Sequence, residues 1–338
     1  MNNLIETIEK SDWADRTKKN RIAFLKTLKS NIEPTTNNYN FLKNFNIVSK
    51  YILDSSKNPT TLKNKILTVK AILKLANDKS ADKYDKLANS LIEKSDEVRG
   101  NNTIVDDEKW ISYDEMLNIP KTIADDIKYI YDKVFLSFDE IDNLKTISAK
   151  YKYFRMLTDY IISVIYCLQP PTRTDWATVG FRPSKEHNWY DANRYIISFN
   201  EFKNVKKMGK ISWVITDPVR KELKEYISIL NYIIDSPKYL LYMIGSKTYK
   251  PFTRETFAVY MARLLKKYTR KNITINSLRH IYESYVTSLP DYNRLSINDK
   301  KVLHSKLLHS SATGADYNKI ENPISLNDFN LNGGTIWI

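Results

Sequence analysis

A chain of 338 residues with 42% hydrophobic content is long enough for one large domain or two ordinary ones, and too apolar to be disordered throughout. Its 53 Lys+Arg against 39 Asp+Glu give a formal net charge of +14, which points to a polyanionic partner: DNA or RNA first, an anionic membrane surface second. The most apolar run, residues 161–168, falls far short of the ~20 residues a spanning helix needs, so no membrane association is expected.

The opening MNNLIETIEK has neither the basic start nor the apolar core of a signal peptide. The single cysteine, Cys167, excludes an intrachain disulfide and reads as a buried small hydrophobe in a reducing, intracellular compartment.

Residues 1–94 read as a compact helical unit. Phe41, Phe45, Val48 and Ile52 recur at helical spacing, as do Leu62, Ile66, Val69 and Leu73. Asn58-Pro59 before Thr60 and Thr61 marks a turn and a helix start. Lysines crowd the polar faces, among them Lys63, Lys65 and Lys70. Two readings are open there: a solvated basic face, or a surface that tracks DNA phosphates and binds with strong salt dependence.

Residues 95–109 are charged and asparagine-rich and read as a linker. Residues 110–338 then form a second domain, with a tail from about residue 320. Ser112, with Glu115 three residues on, reads as the N-cap of its first helix.

Phe154, Leu157, Ile161, Ile165 and Leu168 predict an amphipathic helix over 151–168. Pro170-Pro171 ends it, because proline lacks the amide hydrogen and disfavours helix in the residue before it. Arg173 therefore emerges just past a rigid turn. Asp175 either holds a neighbouring cation or caps the next helix.

Residues 195–199 and 211–215 alternate and are rich in β-formers, so they read as strands joined by a lysine-rich connection with Gly209 near its turn. A helix is expected to open at Phe252-Thr253-Arg254-Glu255 and run to about Tyr268. The expected fold class is mainly α with a small antiparallel β-sheet.

The stretch from Asn276 to Tyr317 carries the chemistry: NSLRHIYESYV, a break at Leu289-Pro290, then KLLHSSATGADY. Arginine holds two phosphate oxygens through its planar fork, histidine adds a hydrogen bond or moves a proton, and a tyrosine hydroxyl is an oxygen nucleophile. The set suggests chemistry on a phosphodiester.

LLHSSATGADY resembles the third motif of the tyrosine recombinases, a histidine followed eight residues later by the nucleophilic tyrosine. NSLRHIYES resembles their second motif, HxxR followed by a further histidine, and PPTRTDW resembles the first arginine motif as found in recombinases of eukaryotic mobile elements and large DNA viruses. Order and spacing also match over roughly residues 105–320, with about 100 residues between Arg173 and Arg279.

The resemblance implies a helical N-terminal domain that clamps DNA and a catalytic domain that cuts and rejoins it. Arg173 and Arg279 would hold the phosphate, Lys203 would give its proton to the departing 5′-oxygen, and His309 would hydrogen-bond a phosphate oxygen. Tyr317 would attack, leaving a 3′-phosphotyrosine. Lys206 and Lys207 rival Lys203, or touch the DNA backbone. Asp175, Asn276 and His280 would support the site, while His304, upstream of LLHSS, reads as helix surface. No cofactor, metal or ATP is implied.

The implied partner is double-stranded DNA. The implied assembly is a homo-tetramer on synapsed sites, monomeric or weakly dimeric when free. The implied setting is a viral or mobile-element product acting in a host nucleus, a cytoplasmic factory or a virion. One departure is plain: Asn276 stands where the family commonly has histidine, and an amide cannot accept and return a proton at neutral pH. The alternative reading makes it the N-cap of a helix starting at Ser277. Two other readings accompany the recombinase: a type IB topoisomerase, which uses the same residue set, and a DNA-binding protein whose catalytic site has decayed.

Overall fold

The computed structural model describes residues 4–35, 38–101 and 107–309. The chain forms two compact units, Met1–Thr103 and Ile104–Ile338. Its described residues are mainly helical with two small antiparallel sheets, the fold class expected from the sequence.

The first unit runs through α1 (Leu4–Lys10), α2 (Asp15–Ile32), α3 (Phe45–Asp54), α4 (Pro59–Leu75) and α5 (Asp85–Asn101). Asn58 caps α4 by accepting from the Thr61 amide at 3.1 Å, with Pro59 in the first turn where its missing N–H costs nothing. Leu62, Ile66, Val69 and Leu73 all face the core of this unit, as their spacing predicts. Phe41 is buried as well, in a 3-10 turn before α3. Helix α5 continues to Asn101, through the first part of the stretch read as a linker.

The second unit opens with α6 (Tyr113–Tyr131) and the short α7 (Phe138–Asp142). Ser112 and Glu115 form a reciprocal capping box at the start of α6. The next helix, α8 (Ile147–Cys167), is the centre of the unit: residues 160–167 are buried without interruption. The alternation in its sequence predicts a helix with one wet face. Packing on several sides makes it a core helix over its last two turns. Cys167 lies in that run, and burial pushes its thiol up.

Beyond α8 come β1 (Trp189–Asp191), β2 (Ile196–Phe199), the single helical turn α9 (Val205–Met208) and β3 (Ile211–Val214). The three strands form an antiparallel sheet in the order β1-β2-β3, with Ile197 opposite both Tyr190 and Trp213. Gly209 ends α9 at φ 75°, a left-handed conformation that glycine adopts without steric cost. Helix α10 (Asp217–Ile233), the hairpin β4 (Tyr242–Ile244) and β5 (Tyr249–Pro251), and α11 (Arg254–Thr269) follow.

Across α8 and α11, the Tyr260 hydroxyl donates to Asp159. Burial pushes the Asp159 carboxyl up to about 6, partly offset by that hydrogen bond and by Lys267 and Arg155.

The last described helices are α12 (Ile275–Ser288) and α13 (Ile297–Lys306). Tyr285 of α12 stacks on Tyr113 of α6, with ring centroids 3.7 Å apart. Among the described residues no helix is long and apolar enough to cross a membrane.

Candidate active site

Helix α8 stops at Cys167 because Pro170 and Pro171 cannot continue it, and the chain turns into Arg173 and Asp175. The turn is fixed from below: the buried Tyr166 hydroxyl donates to the Arg173 carbonyl at 2.5 Å. The Arg173 side chain is half-buried. Asp175 is 4% exposed and begins a 3-10 turn whose N-cap is Thr174, so it does not act as a cap.

Arg279 projects from the first half of α12 and is fully buried. Its Nη1 donates to the Pro171 carbonyl at 3.0 Å and to the Leu307 carbonyl at 2.7 Å. One guanidinium therefore bridges the proline turn before Arg173 and the chain just before His309. Segments far apart in sequence meet at a single charged group, and charge-assisted bonds of this kind are about twice as strong as neutral ones.

The connection between β2 and β3 joins the same neighbourhood. Asn204 Nδ2 donates to the Leu308 carbonyl at 3.4 Å. Phe202 is buried beside it, while Lys203, Lys206 and Lys207 are exposed. Asn188, 1% exposed, works as a clasp. Its Nδ2 donates to the Asp175 carbonyl at 3.1 Å, and its Oδ1 accepts from the Asn200 and Glu201 amides, each at 2.9 Å.

A third arginine completes the cluster. Arg254, at the first turn of α11, donates from Nη2 to the Glu201 carbonyl at 2.7 Å and lies 3.8 Å from Asp175 Oδ1 and 3.5 Å from Glu201 Oε1. Burial raises the Asp175 carboxyl above its ordinary range, and the charges of Arg254, Arg279 and Arg173 pull it back down. Three guanidiniums act on one carboxylate beside a lysine-bearing connection, which leaves a net positive charge of the kind that attracts an oxyanion.

His309 is fully buried, and its Nε2 lies 3.7 Å from Glu283 Oε2. His304, expected on a helix surface, is only 2% exposed: its Nδ1 sits 2.8 Å from Glu283 Oε1 and its Nε2 is 3.0 Å from the Tyr292 hydroxyl. Helix α13 packs its His304 face against α12, which overrides the polar character of the residue.

Asn276 is exposed in the first turn of α12 and is not its cap. Thr274 is the cap, paired reciprocally with Ser277, and the helix starts two residues earlier than the Asn276 reading requires. His280 is half-buried on the same helix. Tyr317 lies outside the described residues.

In the first unit, Lys63 donates to Ser95 Oγ and Lys65 to Ser55 Oγ, each at 2.7 Å, and Lys70 pairs with Asp85. All three are half-buried.

Sequence reasoning missed Arg254, Asn188 and Glu283. Arg254 reads as an ordinary first-turn residue, and a lone asparagine before a strand carries no signal. Glu283, however, lies one turn after Arg279 on the same helix face, a spacing legible in NSLRHIYES.

Fold and site together define a mainly α protein of two units whose second unit gathers arginines from three separate segments. No family model and no curated protein matches the chain. Among solved structures it is similar to XerA recombinase, at 16% sequence identity over 95% of this chain and 93% of that one, with a TM-score of 0.41. Similarity this remote assigns no residue a role, and the chemistry has to come from the residues themselves.

Proposed function

We propose that the protein is a site-specific DNA recombinase that cuts and rejoins double-stranded DNA through a 3′-phosphotyrosine. The observation that carries this reading is the double hydrogen bond of Arg279 to the Pro171 and Leu307 carbonyls, which draws the three recombinase-like motifs to one place.

In this reading Arg173 and Arg279 neutralise the non-bridging oxygens of the scissile phosphate, and Arg254 holds Asp175 and the lysine connection in position. The Tyr317 oxygen bonds to phosphorus as the bond to the 5′-oxygen breaks, and Lys203 protonates that departing oxygen. The phenolic proton passes to Asp175, to His309 or to water, since Asn276 cannot take it. His309 donates a hydrogen bond from the ring nitrogen that does not face Glu283. A 5′-hydroxyl of a second strand reverses the step, so the bond energy is conserved and no ATP is spent. Synapsis of two sites calls for a tetramer of this chain, with the cationic face of the first unit on the duplex.

The test is adduct formation on a random-sequence duplex library carrying a nick beside the cleavage position, followed by mass analysis of the peptide joined to DNA. The expected result is a covalent product at Tyr317. A folded chain that binds the library without forming any adduct sinks the reading and leaves a DNA-binding protein. Relaxation of supercoiled plasmid with no sequence preference would identify a topoisomerase instead.

A further inference from the structure

A second polar cluster lies one helical turn from the arginines. Glu283 of α12, His304 of α13 and His309 just beyond α13 are 2%, 2% and 0% exposed. Their ligand atoms, one per residue, all lie within 4.8 Å of one another. The chain contains four histidines, so half of them converge on a single buried carboxylate.

A carboxylate withdrawn from water is costly unless its charge is met. Imidazole hydrogen bonds meet it in part. A divalent cation meets it fully and lets both imidazoles stay neutral. Two imidazoles and one carboxylate are a donor set that Zn²⁺ takes in tetrahedral sites whose fourth position is filled by water. Bonds of about 2.1 Å in that geometry set ligand atoms about 3.4 Å apart. The observed 2.8 Å from His304 Nδ1 to Glu283 and 3.7 Å from His309 Nε2 to Glu283 bracket that separation, so a small rotation of the carboxylate seats an ion. His304 also has the outer partner that metal-binding histidines have: its second nitrogen, Nε2, is 3.0 Å from the Tyr292 hydroxyl, which fixes the ring with Nδ1 toward Glu283.

We propose that Glu283, His304 and His309 bind one divalent transition-metal ion, Zn²⁺ by its donor set. The ion ties α12 to the segment after α13, whose Leu307 and Leu308 carbonyls accept from Arg279 and Asn204. It is structural, takes no step in strand transfer, and does not depend on the recombinase reading.

The test uses the full chain without a histidine tag and Zn²⁺ alone as the probe. After loading and exhaustive dialysis, metal content is measured by mass spectrometry, and Co²⁺ replaces Zn²⁺ for visible spectroscopy. One zinc per chain and a tetrahedral Co²⁺ spectrum are expected, both lost in Glu283→Gln and His304→Gln and both kept in His187→Gln. A folded wild type that retains no zinc, or variants that retain as much as wild type, overturn the proposal. Should the variants fail to fold, melting of wild type decides: Zn²⁺ must raise the midpoint and a chelator must lower it, by mass action on the folded state. An unchanged midpoint is a refutation. Adduct formation is scored on the same preparations, so a chain that forms adduct without zinc and a chain that binds zinc without forming adduct are told apart.

Discussion

Arg279 Nη1 and the Leu307 carbonyl are 2.7 Å apart, inside a part of the protein where the arginine is fully buried. An arginine in that position stabilises the fold, and in the proposed mechanism it also serves the scissile phosphate. Substitutions there therefore act on two quantities at once, and Arg173, half-buried at the turn, separates them.

Arg279→Ala should lower adduct formation at least ~10²-fold, as loss of one transition-state donor does. It should also cost about 3 kcal/mol or more of stability, because two charge-assisted bonds to carbonyls are lost. Arg173→Ala should match the loss of activity with a much smaller change in the urea midpoint. Equal destabilisation by both would contradict this division of roles.

Tyr317→Phe should abolish the covalent adduct and leave DNA affinity within about a factor of two, since one hydroxyl among many phosphate contacts is removed. Gel retention and adduct assays on one preparation check both halves. Residual adduct in the Phe variant would move the nucleophile elsewhere.

Arg254→Gln and Asp175→Asn should each reduce activity, and the double variant should lose less than the sum, with a coupling of about 0.5–3 kcal/mol expected for residues in contact. Strict additivity in a double-mutant cycle would mean that the 3.8 Å approach of the two groups does not matter for the chemistry.

Asp159 offers a stability test that involves no DNA. Its folded-state value of about 6 lies above the ordinary 3.8, so between those pH values the folded protein holds more protons than the unfolded chain. Stability from this group is complete below the lower value, falls as pH rises through the window, and is lost above about 6, an effect of about 3 kcal/mol at most. Asp159→Asn should flatten that decline in urea titrations from pH 4 to 7. An unaltered profile would place the carboxylate's energetics elsewhere.

Lys206 and Lys207 are exposed, whereas Lys70 is engaged with Asp85. Replacing both Lys206 and Lys207 with alanine should flatten the logarithmic salt dependence of DNA binding by about one to two units, and Lys70→Ala should change it less. Equal slopes for all variants would remove the connection from the DNA interface.

Much of the fold is legible in the sequence because its determinants are local. Ser112 and Glu115 sit three residues apart and cap α6, Asn58-Pro59 starts α4, and Pro170-Pro171 stops α8. Where the sequence misleads, tertiary contact outweighs the local preference. Thr274 takes the start of α12 from Asn276 through an equally local capping box with Ser277, but His304 is drawn inside by Glu283. Arg254 and Asn188 were invisible for the same reason: each matters through partners distant in sequence, Asp175 and the connection after β2.

The Asn188 clasp bears on attempts to re-engineer specificity. A hairpin transplanted from another protein as residues 196–214 would leave behind the amide that grips its Asn200 and Glu201 backbone, because that amide lies upstream of β2. The donor and host must agree at position 188, and at Arg254 on the far side, or the lysines arrive on a loop with no fixed aim. The smallest portable module in this protein is discontinuous.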